Sequence, residues 1–488
     1  MKTIADGNPD FKTFEREIFE LMCRIACELM KMYLELRDLS IMATRNTREY
    51  RLIDSRETTV KTLMGEVRFS RRYYKKTIGG YVFLLDEAMG IDCGCGLISE
   101  NLAEQIVVEC TDKSFRKAAG NINSFTGQAI SAMGVWGAFQ KFGAVVDQQT
   151  ARLMELDGSG STGHLGNIPS QVLFQEFDDV WISRQREKRL KPGGEAQKPR
   201  KKIGKRPMHV GTAYTGWSQA RGGRHKTENK IAYASYGEAS EFTSAFGALM
   251  RNCFDMDGVE RVIANGDGAG WIRAEAEDSD AILQLDPYHR SEAVIKAVSG
   301  KGGKKMLFDA IGEKDVPKAL DTICDLLMTA QDEPAFKRIA KLYDYFYNNR
   351  DILLTWQERG IELPAPPEGV TYRGLGTQES SNCSIITQRM KHRKGSWSTE
   401  GGNHMAQILC FRSTIGLDAI LGTLPEPPPV EAWVEPLSAA KAPLRDGKGY
   451  AAEWLYAQMP FEQAFKTKGR EKIRGMLRMR PPSRLHFI

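Results

Sequence analysis

With 488 residues, 41% of them hydrophobic and 27% charged, the chain has the length for two to four domains and the composition of a water-soluble globular protein. No run approaches the roughly 18 apolar residues of a membrane span, and the opening MKTIADGNPDF has no apolar signal segment, so membrane partners are excluded and a cytoplasmic setting is expected. Nine scattered cysteines fit a reduced compartment better than a disulfide framework, while the net charge of +6 is concentrated in two runs that suit a polyanion.

Phe11 to Leu36 reads as a long helix, with Phe11, Phe14, Ile18, Leu21, Ile25, Leu29, Met32 and Leu36 recurring every three or four residues. Such a helix either pairs with a second copy or packs on its own domain, and the second is the default. Thr58 to Tyr74 switches to period two, turning at Gly65-Glu66, and gives a hairpin with a basic face of Arg68 and Arg72. Cys93-Gly-Cys95 is too tightly spaced for a usual zinc pair. Residues 114–122 and 128–142 form two helical runs joined by Asn123–Gly127, the outline of a helix-turn-helix, although the second run carries only Lys141 as a basic residue. Asp157, in ELDGSGSTG, is assigned to a loop.

Ser170 to Ile182, SQVLFQEFDDVWI, is the clearest strand, yet it holds Glu176, Asp178 and Asp179 in its middle. Buried acids are costly unless paired, so they mark either an exposed strand end or a metal site. Residues 184–206 follow, with eleven Lys/Arg against two Glu. Two further strands, the amphipathic helix Ser240–Cys253 and the strand in VERVIANGDGAGWIRAE come next; the last of these places Asp267 between two glycines at a strand end. The order strand, strand, strand, helix, strand, helix is that of a ribonuclease-H-like domain. A short apolar run then leads to Asp286-Pro287-Tyr288-His289. A helical block over residues 291–360 carries Leu342, Tyr345, Phe346, Ile352, Leu353 and Trp356 as its apolar positions, and it reads as an insertion. GTQESSNCSIITQRMKHR starts a helix with Glu379 near its beginning and a basic cluster at its end; Trp397 just beyond either packs in the core or stacks on a base.

Asp178, Asp267 and Glu379 therefore lie on strand one, strand four and a late helix, about 90 and about 110 residues apart. Oxygen ligands held on a rigid sheet suit Mg²⁺, with Mn²⁺ as a substitute, and a two-metal site of that kind works on phosphodiesters.

EFDDVWIS, NGDGAGWI, LDPYHR and GTQESSN resemble motifs of the ISLre-type bacterial insertion-sequence transposases, a branch of the DDE transposases akin to the Mutator group; REYRLIDSRETTVKTLMGEVRFSRRYYKK and YVFLLDEAMG resemble that family's opening domain. The resemblance runs from about Phe11 to about Arg412. It implies an α/β fold: a ribonuclease-H-like catalytic core with a helical insertion, preceded by a mainly helical DNA-binding region with a β-hairpin. It makes Asp178, Asp267 and Glu379 the catalytic, metal-holding acids, with Glu176 or Asp179 as alternative ligands beside Asp178. His289, in an Asp-x-x-His motif, would hold DNA or support the metal site. Expected domains are 1–98, 99–160, 165–290, 291–368, 369–425 and a basic tail 426–488. Expected phosphate contacts are Arg200, Lys201, Lys202, Lys205, Arg206, Arg389, Lys391, Arg393 and Lys394. The expected partners are double-stranded DNA, as transposon ends and as target, and further copies of the chain, in a bacterial cytoplasm at the nucleoid. A DNA-binding descendant that no longer cuts, or a structure-selective nuclease, are the alternatives.

Overall fold

The computed structural model describes residues 10–91, 98–126, 129–158, 166–185, 204–392 and 395–414. They are mixed α/β and divide into two units, one holding the described residues up to Ile106 together with Phe115–Ala138, the other holding Val107–Ser114 and everything from Phe139 onward.

In the first unit, Asp10 accepts the amide of Thr13 and so caps a helix over Phe11–Thr44. Strands Tyr50–Thr62 and Gly65–Lys76 pair antiparallel, and Tyr81–Val82 adds a short third strand. The turn falls at Leu63-Met64 rather than Gly65-Glu66, because Gly65 already pairs with Thr62 at φ 142°. The face of Val67 and Phe69 is buried, as alternation predicts. Arg72 is not a free basic group, however: it pairs with the buried Asp38 of the long helix. The two predicted helical runs appear as Phe115–Thr126 and Ala132–Gly158, the second of which only begins in this unit, and the connection lies a few residues later than expected. Asn123 makes the link by bonding both the amide and the carbonyl of Ile130.

The second unit is built on a five-stranded sheet of β1 (Val172–Ser183), β2 (Lys205–Tyr214), β3 (Ile231–Ser235), β4 (Arg261–Gly266) and β5 (Ile282–Leu285). Its spatial order is β3-β2-β1-β4-β5. The first three strands are antiparallel; the helix Ala239–Cys253 then carries the chain across, so that β4 runs parallel to β1 and β5 parallel to β4. Sitting in the middle, β1 is covered on both faces. Leu173 and Phe177 point into the larger core with Phe242, Phe246 and Ile272. Val172 and Phe174 point the other way, against Tyr214, Trp217 and Ile263. Each such buried side chain contributes about 1.5–3 kcal/mol.

Residues after β5 form the helices Pro287–Ala297, Lys301–Gly312, Val316–Met328 and Glu333–Asn348. Leu342, Phe346, Ile352 and Leu353 lie in the larger core, so the block is packed into the sheet domain. A helical run follows as Gln378–Ser381, π-helical turns over Asn382–Thr387, and Gln388–Met390, and Thr399–Thr414 ends the described chain. Among the described residues no helix is long and apolar enough to cross a membrane, and the seven described cysteines are free. Cys93 and Cys95 lie outside the described residues.

Candidate metal centre

Alternation along β1 explains its acids. The face that begins with Val172 and Phe174 continues with Glu176 and Asp178, and the helical run from Gln378 lies against that end. Asp179 points to the opposite face and is held by the imidazole of His209 at 2.7 Å. It is thereby removed from the ligand set.

Asp178 is nearly buried, and its two oxygens are held separately. Oδ1 accepts the amide of Asp179 at 2.7 Å and Oδ2 accepts Nδ2 of Asn382 at 2.6 Å. Asn382 is itself fixed by Gln378, whose side-chain oxygen accepts from Thr212. Gln378 and Asn382 stand four apart, facing the same side of one helical run, the spacing that lets two side chains cooperate. The π-helical turns begin at Asn382, a backbone irregularity frequent at functional sites. Sequence reasoning passed over this asparagine, although the i, i+4 spacing in QESSN was there to read.

His289 stands in the first turn of its helix because Asp286 caps it through the amide of Tyr288, with Pro287 at the first helical position. Proline there serves the helix start. The imidazole Nε2 lies 3.9 Å from Asp178 Oδ1 and 3.9 Å from Glu379 Oε1. Ligand atoms of Asp178, His289 and Glu379 all fall within 4.8 Å of one another. Asp267 is not in that set, although its charge acts on Asp178. Its Oδ1 accepts the amide of Ala269, and its carbonyl accepts the hydroxyl of Tyr345 from the helical block. Its neighbours serve packing. Gly268 has φ 88° and a Cβ there would lie 2.2 Å from Asn349 Oδ1; one at Gly266 would lie 2.8 Å from Ile272. Those glycines seat the loop against its own domain.

Glu176, the other alternative ligand, is spent on the fold. Its carboxylate accepts the hydroxyl of Tyr214, Nδ2 of Asn265, the hydroxyl of Thr377 and the amides of Gly376, Thr377 and Gln378. A negative charge on the first amides of the helix that carries Glu379 is the favourable arrangement. Asn265 also donates to Asp286 and accepts from Gln284, so one buried network ties together β1, β4, β5 and the helices bearing His289 and Glu379.

Burial pushes the Asp178 carboxyl up to about 6, and the charges of Glu379 and Asp267 push the same way; His289 and the Asp179 amide oppose them. Two carboxylates, one of them raised, and an imidazole within 4.8 Å of one another fit a divalent cation. The sign of the pH effect follows. The folded value lies above the ordinary 3.8, so Asp178 stabilises the metal-free fold fully below about pH 4, and that contribution is lost as pH rises through 6. A cation must displace the proton below pH 6. Scanning fluorimetry with Mn²⁺ or Mg²⁺ is expected to show a rise in Tm at pH 8 that largely disappears at pH 5. An equal rise at both values would exclude Asp178 as a ligand.

The predicted phosphate contacts separate into groups. Lys205 is exposed at the start of β2, Arg206 beside it stacks over Tyr236, and Lys391 is exposed. Arg389 is buried, donates Nε to the carbonyl of Cys110 and lies over the ring of Trp397, so it braces the fold and does not face solvent. Trp397 is buried as well, its Nε1 on the carbonyl of Met390 and its backbone bridged to Ser183, which removes the base-stacking role. Arg200, Lys201, Lys202, Arg393, Lys394 and the basic tail lie outside the described residues. Asp157 ends a helix, not a loop, and pairs with Arg251.

A mixed α/β protein with an acidic, metal-competent cluster on its central strand is the class these features define. The chain belongs to the uncharacterised protein family UPF0236, whose profile matches residues 5–419. A curated relative, the UPF0236 protein in the vanSb 3′ region of Streptococcus gallolyticus, is 23% identical over 414 residues, 81% of each chain. Among solved structures, the Drosophila P element transposase strand transfer complex is similar over 67% of this chain and 80% of that one, at 8% identity and TM-score 0.22. A pre-cleavage Mos1 transpososome is similar over 52% and 79%, at 12% identity and TM-score 0.12.

Proposed function

We propose that this chain is a DDE transposase of the ISLre type, with a ribonuclease-H-like core, that binds the terminal inverted repeats of its own insertion sequence and cuts and joins DNA strands there. The observation that carries the reading is the meeting of Asp178 and Glu379, about two hundred residues apart in sequence, within 4.8 Å of each other and of His289 on the middle strand of a β3-β2-β1-β4-β5 sheet. That strand order, three antiparallel strands followed by two parallel ones, agrees with the ribonuclease-H-like pattern read from the sequence. Asp178, Asp267 and Glu379 form the proposed catalytic set, and His289 joins the ligands in place of a DNA contact.

Bound Mg²⁺, or Mn²⁺ in its place, would supply activation of the attacking oxygen and stabilisation of the leaving one. The chain's own residues do the rest. Asn382 and the Asp179 amide hold the Asp178 carboxylate in one orientation, and Glu176 fixes the helix that presents Glu379. Lys205, Arg206 and Lys391, with the basic residues 200–202, 393 and 394, would grip phosphates; such contacts position DNA without reading its sequence. The N-terminal region would bind the ends, and further copies of the chain would assemble on them.

The test is cleavage and joining of labelled end DNA in the presence of Mg²⁺. The expected result is nicking at the ends followed by joined product, both absent with EDTA. Cutting without joining would point to a structure-selective nuclease. Binding to the repeats with no metal-dependent nicking would point to a DNA-binding descendant that has lost catalysis.

A further inference from the structure

The long helix Phe11–Thr44 has two apolar faces, and the described residues of its unit pack against one of them. Cys27, Met30, Leu34 and Ile41 pack on the hairpin with Val60, Val67 and Phe69. Polar bonds lock the same side: Glu35 accepts the amide of Ser70, and Asp38 pairs with Arg72. Six of the eight positions that sequence periodicity singled out lie on the other one. Phe11, Ile18, Ile25, Met32 and Leu39 follow one another at intervals of seven, and all are exposed. Met22, Leu29 and Leu36 fall four residues after the middle three of them, also seven apart and 55%, 60% and 62% exposed. Glu15 alone breaks the pattern.

We propose that this stripe is the seam of a two-stranded coiled coil with the same helix of a second copy of this chain. A strict repeat of 3.5 residues is the period of a left-handed supercoil, whereas a helix lying on a globular surface drifts at 3.6 and needs a broader stripe. Such a seam is its own complement. It runs from Phe11 to Leu39 along a 34-residue helix about 50 Å long. Its eight apolar side chains expose on the order of 900 Å², against the about 800 Å² that a stable interface takes from each partner.

The two directions place charge differently: a parallel pair sets Glu15 against Glu15 in the seam and Glu28 beside Tyr33, whereas an antiparallel pair sets Glu15 beside Leu39 and Glu28 against Glu28. The self-association in the proposed function rests on this surface, while the cutting chemistry does not, so light scattering and strand cleavage fail independently.

The test is light scattering on the full chain from about 1 to 50 μM, for the wild type and for Leu29→Glu. Leu29 is exposed in the single copy, so Leu29→Glu should keep its circular dichroism and Tm while its dimer dissociates at least ~100-fold more readily, because a charge cannot enter the seam unpaired. A monomeric wild type, or a Leu29→Glu protein that stays dimeric, overturns the proposal. A Leu29→Glu protein that loses its fold also overturns it, by showing that the chain's own C-terminal segment or another internal surface covers the stripe.

Discussion

Glu176→Ala is expected to destabilise the fold by about 3–5 kcal/mol and to abolish metal-dependent activity with it. The magnitude follows from what is left behind. Tyr214, Asn265, Thr377 and three successive amides from Gly376 to Gln378 all donate to this one fully buried carboxylate. Leaving a buried donor without an acceptor costs about 1–3 kcal/mol, and breaking a buried charged network about 3–5. Glu176→Gln is the sharper variant. It keeps the volume but turns an NH₂ group toward donors, so it too should lower the denaturation midpoint. Were Glu176 a metal ligand, Glu176→Gln would lose metal binding with stability intact. Urea unfolding of both variants, in the absence of metal, separates the two. A Glu176→Gln protein as stable as the wild type would show that the network does not hold the Glu379 helix.

The same carboxylate shows where sequence reading reaches and where it stops. The sequence marked Glu176, Asp178 and Asp179 as acids in the middle of a buried strand, and the element order led to the sheet that brings β4 beside β1. Local pattern could not tell Glu176 from Asp178, because what differs is their partners. Those of Glu176 lie about 38, 89 and 200 residues away. Asp178 keeps one oxygen on an amide and one on Asn382, and so stays oriented toward His289 and Glu379. The glycines around Asp267 were visible as well. Their reason was not, since Asn349 and Ile272 press on them only after the helical block and the following helix have packed. In the long helix, the period was legible but the assignment of faces went the other way. The hairpin takes the less regular stripe of Cys27, Met30, Leu34 and Ile41, because Cys27 and its neighbours are small or flexible enough to fit beneath strand side chains.

Asp267→Asn is expected to lower metal-dependent strand cleavage at least 1,000-fold, a loss of about 4 kcal/mol of transition-state stabilisation. This substitution isolates charge from structure. The Asp267 Oδ1 is committed to the amide of Ala269, and an asparagine carbonyl accepts that bond equally well. The loop, held also by Tyr345 and Asn349, should therefore keep its place, and urea unfolding should be unchanged. Asp178→Asn should lose as much activity but is less clean, because both oxygens of Asp178 accept hydrogen bonds and an amide can satisfy only one of them. His289→Ala addresses the remaining question. His289 lies within the donor cluster and Asp267 outside it, so removing the imidazole should weaken Mn²⁺ binding in a titration by roughly 10–100-fold, as loss of a ligand or of its support does. The Asp267→Asn protein should then bind a first Mn²⁺ with nearly wild-type affinity, yet fail to cut. Full cleavage by Asp267→Asn would sink the three-acid mechanism. If His289→Ala instead bound Mn²⁺ as tightly as wild type, His289 would return to the DNA-contacting role first read from the Asp-x-x-His motif.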